Sequence, residues 1–237
     1  MTARVPSPTR IEWADRVWNP ITGCNTGCSY CYARREAKRF GDNFTPKFHP
    51  ERLEQPLHLQ KPSKIFVCSM GELFGPWVPL DWVKRIYDVM TACVDHTFIV
   101  LTKWPEKITE MLYGFEPNKR WPLFNSQESY PNIWHLASVE DQKTWDKRVP
   151  ALLELRSHGW PVLGVSVEPM LGEIIPHHIS KLDWLIIGGQ SPPSAQQPKR
   201  IWTENITDAA VWERVPVFQK NNLRPILGDN VRQEVPK

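Results

Sequence analysis

The sequence contains no apolar run of the roughly 18 to 20 residues that a membrane-spanning helix needs. Its opening stretch, MTARVPSPTR, has charged side chains and prolines but no apolar core, so it does not predict a signal peptide. Neither sign of charge dominates, since the chain has 29 basic and 26 acidic side chains. The formal net charge of +3 neither requires nor excludes a nucleic-acid partner. We therefore expect a soluble, cytoplasmic protein with no membrane partner.

Cysteine is scarce and unevenly placed. The chain of 237 residues has five cysteines and none after Cys93, yet three of them lie within residues 24–31. A disulfide framework usually spreads an even number of cysteines over a small secreted chain. Clustered cysteines in a reducing compartment are more typical of metal or cluster ligands.

Short apolar runs bounded by turn or charged residues recur along the chain. They are residues 65–68, 98–101, 133–137, 162–167, 184–187 and 215–218. Runs of this length with little polar alternation predict strands buried on both faces. Between them, residues 80–94 and 144–157 show helical periodicity, and Asp81 and Thr144 stand where capping residues are expected.

The repeated strand–helix order predicts an α/β fold with a parallel sheet. A first strand near residues 18–23 gives six or seven βα units, fewer than the eight of a full TIM barrel. We expect a single domain, 1–237, with a partial (β/α)6–7 TIM-like barrel whose last strand is completed by residues 200–237. An open, doubly wound sheet is the alternative. Residues 115–131 and 191–200 are polar, contain proline and are predicted to be loops.

In parallel α/β folds the chemistry gathers at the carboxyl ends of the strands. Here each predicted strand runs into polar residues. These are residues 68–72 (CSMGE), 102–103 (TK), 138–140 (SVE), 166–168 (SVE), 188–190 (GGQ) and 219–220 (QK). Their convergence on one rim predicts a polar site there.

The three clustered cysteines form a C-x3-C-x2-C pattern over residues 23–32, GCNTGCSYCY. Thiolates suit Fe–S clusters, zinc or Cu(I), and a [4Fe–4S] cube normally takes four of them. Cys24, Cys28 and Cys31 would leave one iron open for a substrate or cofactor. A zinc site completed by His49 or Cys68 is an alternative, although zinc sites usually add a second two-ligand knuckle and none follows. Buried free thiols are a second alternative.

The cysteine loop resembles that of the radical S-adenosylmethionine (SAM) superfamily, including the aromatic residue before the third cysteine. The resemblance extends to a phage- and bacteria-associated family with radical-SAM-like cysteines, and it covers nearly the whole chain in order. The motifs that carry it are residues 12–13 (EW), 18–20 (WNP), 69–70 (SM), 101–103 (LTK), 138–140 (SVE), 167–172 (VEPMLG) and 188–190 (GGQ). The resemblance implies a radical SAM type barrel with two cofactors, a [4Fe–4S] cluster and SAM. It also implies an external electron donor and removal of a hydrogen atom from a substrate.

The resemblance also implies roles for single residues. Cys24, Cys28 and Cys31 would bind the cluster, and Tyr30 would contact the adenine of SAM. Residues Ser69, Gly71 and Glu72 stand where the superfamily often has Gly-Gly-Glu, whose backbone holds the SAM amino group. This chain has only one glycine there.

Other candidates follow the later strands. Lys103, Ser138, Glu140 and Glu168 would hold the SAM carboxylate and ribose, or the substrate. Gly188, Gly189 and Gln190 end the sixth strand, where related sequences carry glutamate instead of Gln190. Cys68 has two interpretations: a hydrogen-atom donor to a substrate radical, as in enzymes like spore photoproduct lyase, or a small core residue.

Two functions are consistent with these features. The first is a radical SAM enzyme acting on an unknown substrate, with nucleic acid or a nucleobase derivative as one class. The basic stretch at residues 34–39 (RREAKR) and the 12 tryptophans favour that class. The alternative is a non-catalytic Fe–S or zinc-binding phage accessory protein that interacts with a partner.

Overall fold

The structure is a computed structural model that describes residues 5–113, 130–191 and 195–236. The predicted loop at 115–131 therefore lies almost wholly outside the described residues. The strands are β1 Ser7–Pro8, β2 Arg16–Trp18, β3 Ile21–Thr22, β4 Lys47–Phe48, β5 Lys64–Val67, β6 Thr97–Thr102, β7 Ile133–Val139, β8 Leu163–Val167, β9 Trp184–Ile187 and β10 Val217–Gln219. The helices are α1 Tyr32–Arg39, α2 Leu80–Ala92, α3 Pro105–Tyr113, α4 Gln142–Leu153, α5 Arg200–Trp212 and α6 Arg224–Leu227.

Eight strands form the main sheet in the order β1-β2-β5-β6-β7-β8-β9-β10. All neighbours are parallel except β1, which is antiparallel to β2. The order follows the chain without reversal, whereas a doubly wound sheet reverses its order at a switch point. Within the described residues, no ladder joins β1 to β10, so the sheet stays open. The predicted α/β partial barrel is confirmed, and the doubly wound alternative is wrong.

The two faces of the sheet belong to different cores. The outer core contains the buried faces of helices α2 to α5 together with strand residues such as Ile65, Val100 and Val165. The inner core contains the alternate strand residues, among them Phe66, Ile99 and Trp184, with the N-terminal Trp13. A barrel requires all of its helices on one face of the sheet. The right-handed strand–helix–strand crossovers place them there, on the outside.

Several local predictions need correction. The parallel strand predicted near residues 18–23 is Arg16–Trp18, and Ile21–Thr22 instead pairs with β4 in a separate two-stranded ribbon. Helix α2 begins after Pro79, so Asp81 lies in its first turn and is not the cap. Helix α4 begins after Asp141, which forms a capping box with Thr144. Within the described ranges, no helix is long and apolar enough to cross a membrane.

Candidate active site

A cavity of about 390 Å³ lies at the carboxyl ends of the parallel strands. The cysteine loop contributes to its wall, as do the segments that follow β5, β6, β8, β9 and β10. All of the predicted site residues line this cavity except Glu140 and Gly188, which stand directly behind lining residues. The site predicted from polar strand ends is thus one continuous space.

Glycine shapes the start of the cysteine loop. Gly23 has φ +83°, and its N–H donates to the Met70 carbonyl at 2.8 Å. A Cβ at this position would lie 2.0 Å from the backbone oxygen of Thr45, so only glycine fits. Cys24 then donates its N–H to the Phe44 carbonyl at 3.0 Å. These bonds hold the loop against the segment that follows β5 and the segment that precedes β4.

The three cysteines are free thiols, partly exposed, and all line the cavity. Cys24 Sγ lies 3.1 Å from Thr26 Oγ1 and accepts the Thr26 N–H at 3.4 Å. Burial raises the pKa of the Cys24 thiol, and the bonds with Thr26 act in the opposite direction. Cys31 Sγ caps helix α1 by accepting the Arg34 N–H at 3.3 Å.

The donor set fits an Fe–S cluster, since three soft sulfur ligands share one loop on a cavity wall. Among the described residues, no group of three or more His, Cys, Asp or Glu side chains is arranged to hold a single metal ion. A [4Fe–4S] cube binds each thiolate at a different iron, so that finding concerns mononuclear sites. His49, a candidate fourth zinc ligand, does not line the cavity, and its Nε2 lies 2.8 Å from Thr22 Oγ1.

A charged network ties the cysteine loop to the barrel. Tyr30 donates its hydroxyl to Glu140 Oε1 at 2.5 Å, and Lys103 Nζ donates to the Tyr30 oxygen at 2.6 Å. Lys103 also forms an ion pair with Glu140 and reaches Ser138 Oγ at 3.3 Å. From helix α4, Arg148 donates to Glu140 Oε2 at 2.8 Å and to the Ser138 carbonyl at 2.7 Å. Glu140 thus contacts three side chains from three different segments.

Burial perturbs the titration of this network. It lowers the pKa of the Lys103 ammonium to about 8, and it lowers the pKa of Arg148. It raises the pKa of the Tyr30 phenol, and the Cys28 thiol nearby acts in the same direction. The Tyr30 phenol therefore stays neutral and does not act as a base. Its hydroxyl is held in place by hydrogen bonds with Glu140 and Lys103. The network therefore serves to orient groups at the cavity wall.

Glu72 is buried, with 5% of its surface exposed, and it lines the cavity beneath this network. One carboxylate oxygen accepts from Thr102 Oγ1 at 2.6 Å and from the Phe74 N–H at 3.0 Å. The other accepts from the Lys103 N–H at 3.1 Å. Burial raises the pKa of Glu72, and these hydrogen bonds oppose the rise. The carboxylate thus fixes the chain that follows β6.

Cys68 directly follows β5. It is buried, packs with the outer core and also lines the cavity. Its φ is +57°, an uncommon conformation for a residue other than glycine. Burial raises the pKa of its thiol to about 12, so the sulfur keeps its proton at neutral pH. Next to it, Ser69 donates to Asn19 Oδ1 at 3.2 Å and its carbonyl accepts from the Tyr32 hydroxyl at 2.6 Å. Gly71 packs against β3, where a Cβ would lie 2.9 Å from the Ile21 oxygen.

The opposite wall consists of the ends of β8, β9 and β10. Lys220 Nζ donates to Glu168 Oε1 at 2.5 Å, and both side chains line the cavity. Gly188 backs this pair, since a Cβ there would meet Lys220 and Glu168 at 3.0 and 3.1 Å. Gly189 exchanges two hydrogen bonds with the Asn222 side chain, which fixes the backbone that leads to Gln190.

Sequence reasoning assigned no individual role to three of the residues at this site, although Ser166 and Lys220 belong to the predicted polar strand ends. Ser166 and Lys220 line the cavity, and Arg148 holds Glu140 from behind. A signal for Ser166 existed, because the sequence Ser-Val-Glu occurs at 138–140 and again at 166–168, and the two serines pair in register. Arg148 lies in the middle of a helix, where an arginine carries no such signal.

The sequence of this chain matches a protein family. Residues 8–224 match the profile of the family described as protein of unknown function (DUF5131). The chain belongs to this family. No curated protein matches it by sequence.

Solved structures of spore photoproduct lyase share the fold of this DUF5131 member. The complex with dinucleoside spore photoproduct has 12% identity and a TM-score of 0.50, over 79% of this chain and 58% of that one. A double mutant with bound AdoMet and the same dinucleoside has 12% identity and a TM-score of 0.54, over 77% and 58%. A cysteine-to-serine mutant has 13% identity and a TM-score of 0.54, over 79% and 59%.

The chain thus spans a little under three fifths of the length of those structures. At this identity the likeness shows the fold alone. Spore photoproduct lyase is a radical SAM enzyme, so the fold is of the radical SAM type.

Proposed function

We propose that this protein is a radical SAM enzyme that binds a [4Fe–4S] cluster through Cys24, Cys28 and Cys31. The observation that carries the proposal is their position: three thiols on one loop face a cavity at the carboxyl ends of a radical SAM type sheet. The substrate class we propose is nucleic acid or a nucleobase derivative. The dinucleoside bound by spore photoproduct lyase and the basic residues of helix α1 support that class.

A cluster held by Cys24, Cys28 and Cys31 would supply an electron, taken from an external donor, for the reductive cleavage of SAM, and SAM would supply the capacity to remove a hydrogen atom from the substrate. The chain has to hold SAM beside the open iron and keep water away. The backbone of Ser69 and Gly71 lies on the cavity wall next to the cysteine loop and is our candidate for the SAM amino group. The Lys103 ammonium is the candidate for its carboxylate, because it is fixed there by Tyr30 and Glu140.

Ribose and adenine need hydroxyl partners and an aromatic or backbone surface. Ser138 lines the cavity beside Lys103, and Tyr30 presents its ring near the same ammonium, with Nζ 5.0 Å from the ring centroid. Gly189 and Gln190 supply backbone groups on the opposite wall. We assign adenine contact to Tyr30 and to this backbone, and ribose contact to Ser138.

Cys68 is our candidate for the residue that returns a hydrogen atom to the substrate radical. Such a donor needs an S–H bond, and burial keeps this thiol protonated while its residue lines the cavity. Its packing in the outer core also suits a purely structural role. Exchange of deuterium from solvent into product would separate the two roles, since Cys68→Ala abolishes it only if the thiol is the donor.

The deciding experiment is anaerobic reconstitution with iron and sulfide, followed by dithionite and SAM, with an assay for 5′-deoxyadenosine. We expect release by the native protein and a loss of about 100-fold or more in Cys28→Ala, because the cluster loses one of its three ligands. Cys93→Ala is the matched control, since Cys93 is a cysteine of the outer core that does not line the cavity. A cluster whose EPR spectrum ignores SAM, with no nucleoside released, would contradict the proposal and leave a non-catalytic metal-binding protein.

A further inference from the structure

The inner part of the cavity contains a polar group without a partner. Ser166 lies on β8 with 1% of its surface exposed, and it lines the cavity. Within the described part of the chain, its Oγ is buried and has no hydrogen-bond partner. A buried hydroxyl left unpaired is destabilising. Native proteins satisfy nearly all such groups, so this one requires an explanation such as a bound ligand.

A donor and an acceptor lie on the same wall. Glu168 follows Ser166 by two residues, directly after the end of β8, and both residues line the cavity. Lys220, which follows β10, pairs with Glu168 at 2.5 Å, and the pair is largely buried. The pair offers an ammonium donor and a carboxylate acceptor with no net charge. A charged ligand would meet no excess opposite charge here, so a neutral ligand is favoured.

Apolar and aromatic side chains line the remainder of this space. Trp13, Phe66 and Leu101 all contribute to the cavity wall from the inner core. The rings of Trp13 and Phe66 pack with their centroids 4.8 Å apart. Flat apolar walls combined with a few polar groups suit a planar heterocycle whose polar edge is read by hydrogen bonds.

We propose that Ser166, Glu168 and Lys220 form the substrate subsite, and that it binds a neutral heterocycle with a carbonyl, N–H, carbonyl edge, as in a pyrimidine base of the thymine or uracil type. The Lys220 ammonium and the Ser166 hydroxyl donate to the two carbonyls, and the Glu168 carboxylate accepts the ring N–H. This inference rests on the proposed function, because SAM held by the cysteine loop, Lys103 and the backbone of residues 189–190 leaves the Ser166, Glu168 and Lys220 side chains to the substrate.

The test is binding of thymidine to the reconstituted protein with SAM and without a reductant, measured by equilibrium dialysis. N3-methylthymidine is the matched probe, since it keeps the carbonyls but lacks the N–H. We expect thymidine to bind at least several-fold more tightly than its methylated form. Ser166→Ala should weaken thymidine binding roughly two- to tenfold, as expected for one lost hydrogen bond. The same substitution should leave the thermal midpoint unchanged or raise it, because it removes an unpaired buried hydroxyl.

Ser157→Ala is the control variant, since Ser157 is exposed and does not line the cavity. Equal binding of the two nucleosides, absence of thymidine binding, or unchanged affinity in Ser166→Ala would each overturn the subsite. The 5′-deoxyadenosine assay on the same preparations separates this inference from the proposed function. Release of 5′-deoxyadenosine without thymidine binding overturns the subsite alone. Thymidine binding without that release supports the subsite and overturns the radical chemistry.

Discussion

The outer and inner faces of the sheet have different chemistry, and strand β7 shows the difference within one segment. Its outward residues Ile133, Ala137 and Val139 join the core under the helices. Its inward side begins with Trp134 and Leu136 in the inner core and continues to Ser138 on the cavity wall. The outer face of β7 is thus apolar apart from His135, whereas its inner face changes from aromatic to charged toward the carboxyl end. Fold and function are carried by alternate residues of the same strand.

The largest expected loss of stability comes from a substitution at the charged, carboxyl end of the inner face. Glu140→Leu leaves Lys103 and Arg148 buried without their carboxylate. We expect the free energy of unfolding to fall by about 3 to 5 kcal/mol, as is typical when one partner of a buried ion pair is removed. Urea denaturation measures it. Glu36→Leu, which breaks an exposed pair with Arg39, is the control and should cost less than about 1 kcal/mol. Equal losses in the two variants would show that the network contributes no more than a surface ion pair.

A second prediction concerns the loop at the mouth of the inner face. Gly23 and Gly27 both have positive φ, +83° and +78°, but only Gly23 faces a backbone oxygen, while nothing lies within 4 Å of a Cβ at Gly27. Gly27→Ala should cost about 1 to 2 kcal/mol from backbone strain alone. Gly23→Ala adds a steric overlap and should cost roughly 2 to 5 kcal/mol in total.

Iron content per chain after reconstitution provides the second measurement for this pair. We expect Gly23→Ala to lose most of its iron and Gly27→Ala to retain most of it. Full iron binding by Gly23→Ala would mean that the loop geometry does not depend on contact with Thr45.

The third prediction concerns His135, the polar residue on the outer face of β7. His135 is buried, and burial lowers its pKa to about 3. Because the unfolded chain titrates near pH 6.5, the unfolded state binds more protons between pH 6.5 and 3, so stability is full above pH 6.5 and falls below it. Between pH 7 and pH 5 this residue should account for a loss of about 2 kcal/mol. His135→Phe should remove that part of the pH dependence in urea titrations. An identical pH dependence in the variant would assign the loss to other groups.

The sequence was informative where structure is local. Strands such as β5 and β9 were predicted because residues buried on both faces form short apolar runs, and the cysteine motif lies within a single loop. The partners of Glu140 were not predictable, because Tyr30 lies 110 positions away and Arg148 comes from an unremarkable helix face. The cap of helix α4 was misplaced by three residues, since Asp141 and Thr144 are both good capping types and share one capping box. The repeated Ser-Val-Glu pointed to Ser166, but the sequence could not show that its buried hydroxyl has no partner among the described residues.

The opening between the two edges of the sheet has a mechanical consequence. Neighbouring strands elsewhere share continuous ladders, but contact across this opening includes Glu12, whose carboxylate accepts the Asn221 N–H at 2.7 Å. Residues 232–234 pair with β10 and cover its free edge. Moving the two edges of the sheet apart at this opening breaks only isolated hydrogen bonds. Moving two neighbouring strands apart elsewhere in the sheet breaks a continuous ladder of backbone hydrogen bonds. We therefore expect amide hydrogen exchange to be fastest along this seam, and widening of the barrel to admit a large substrate to begin at Glu12.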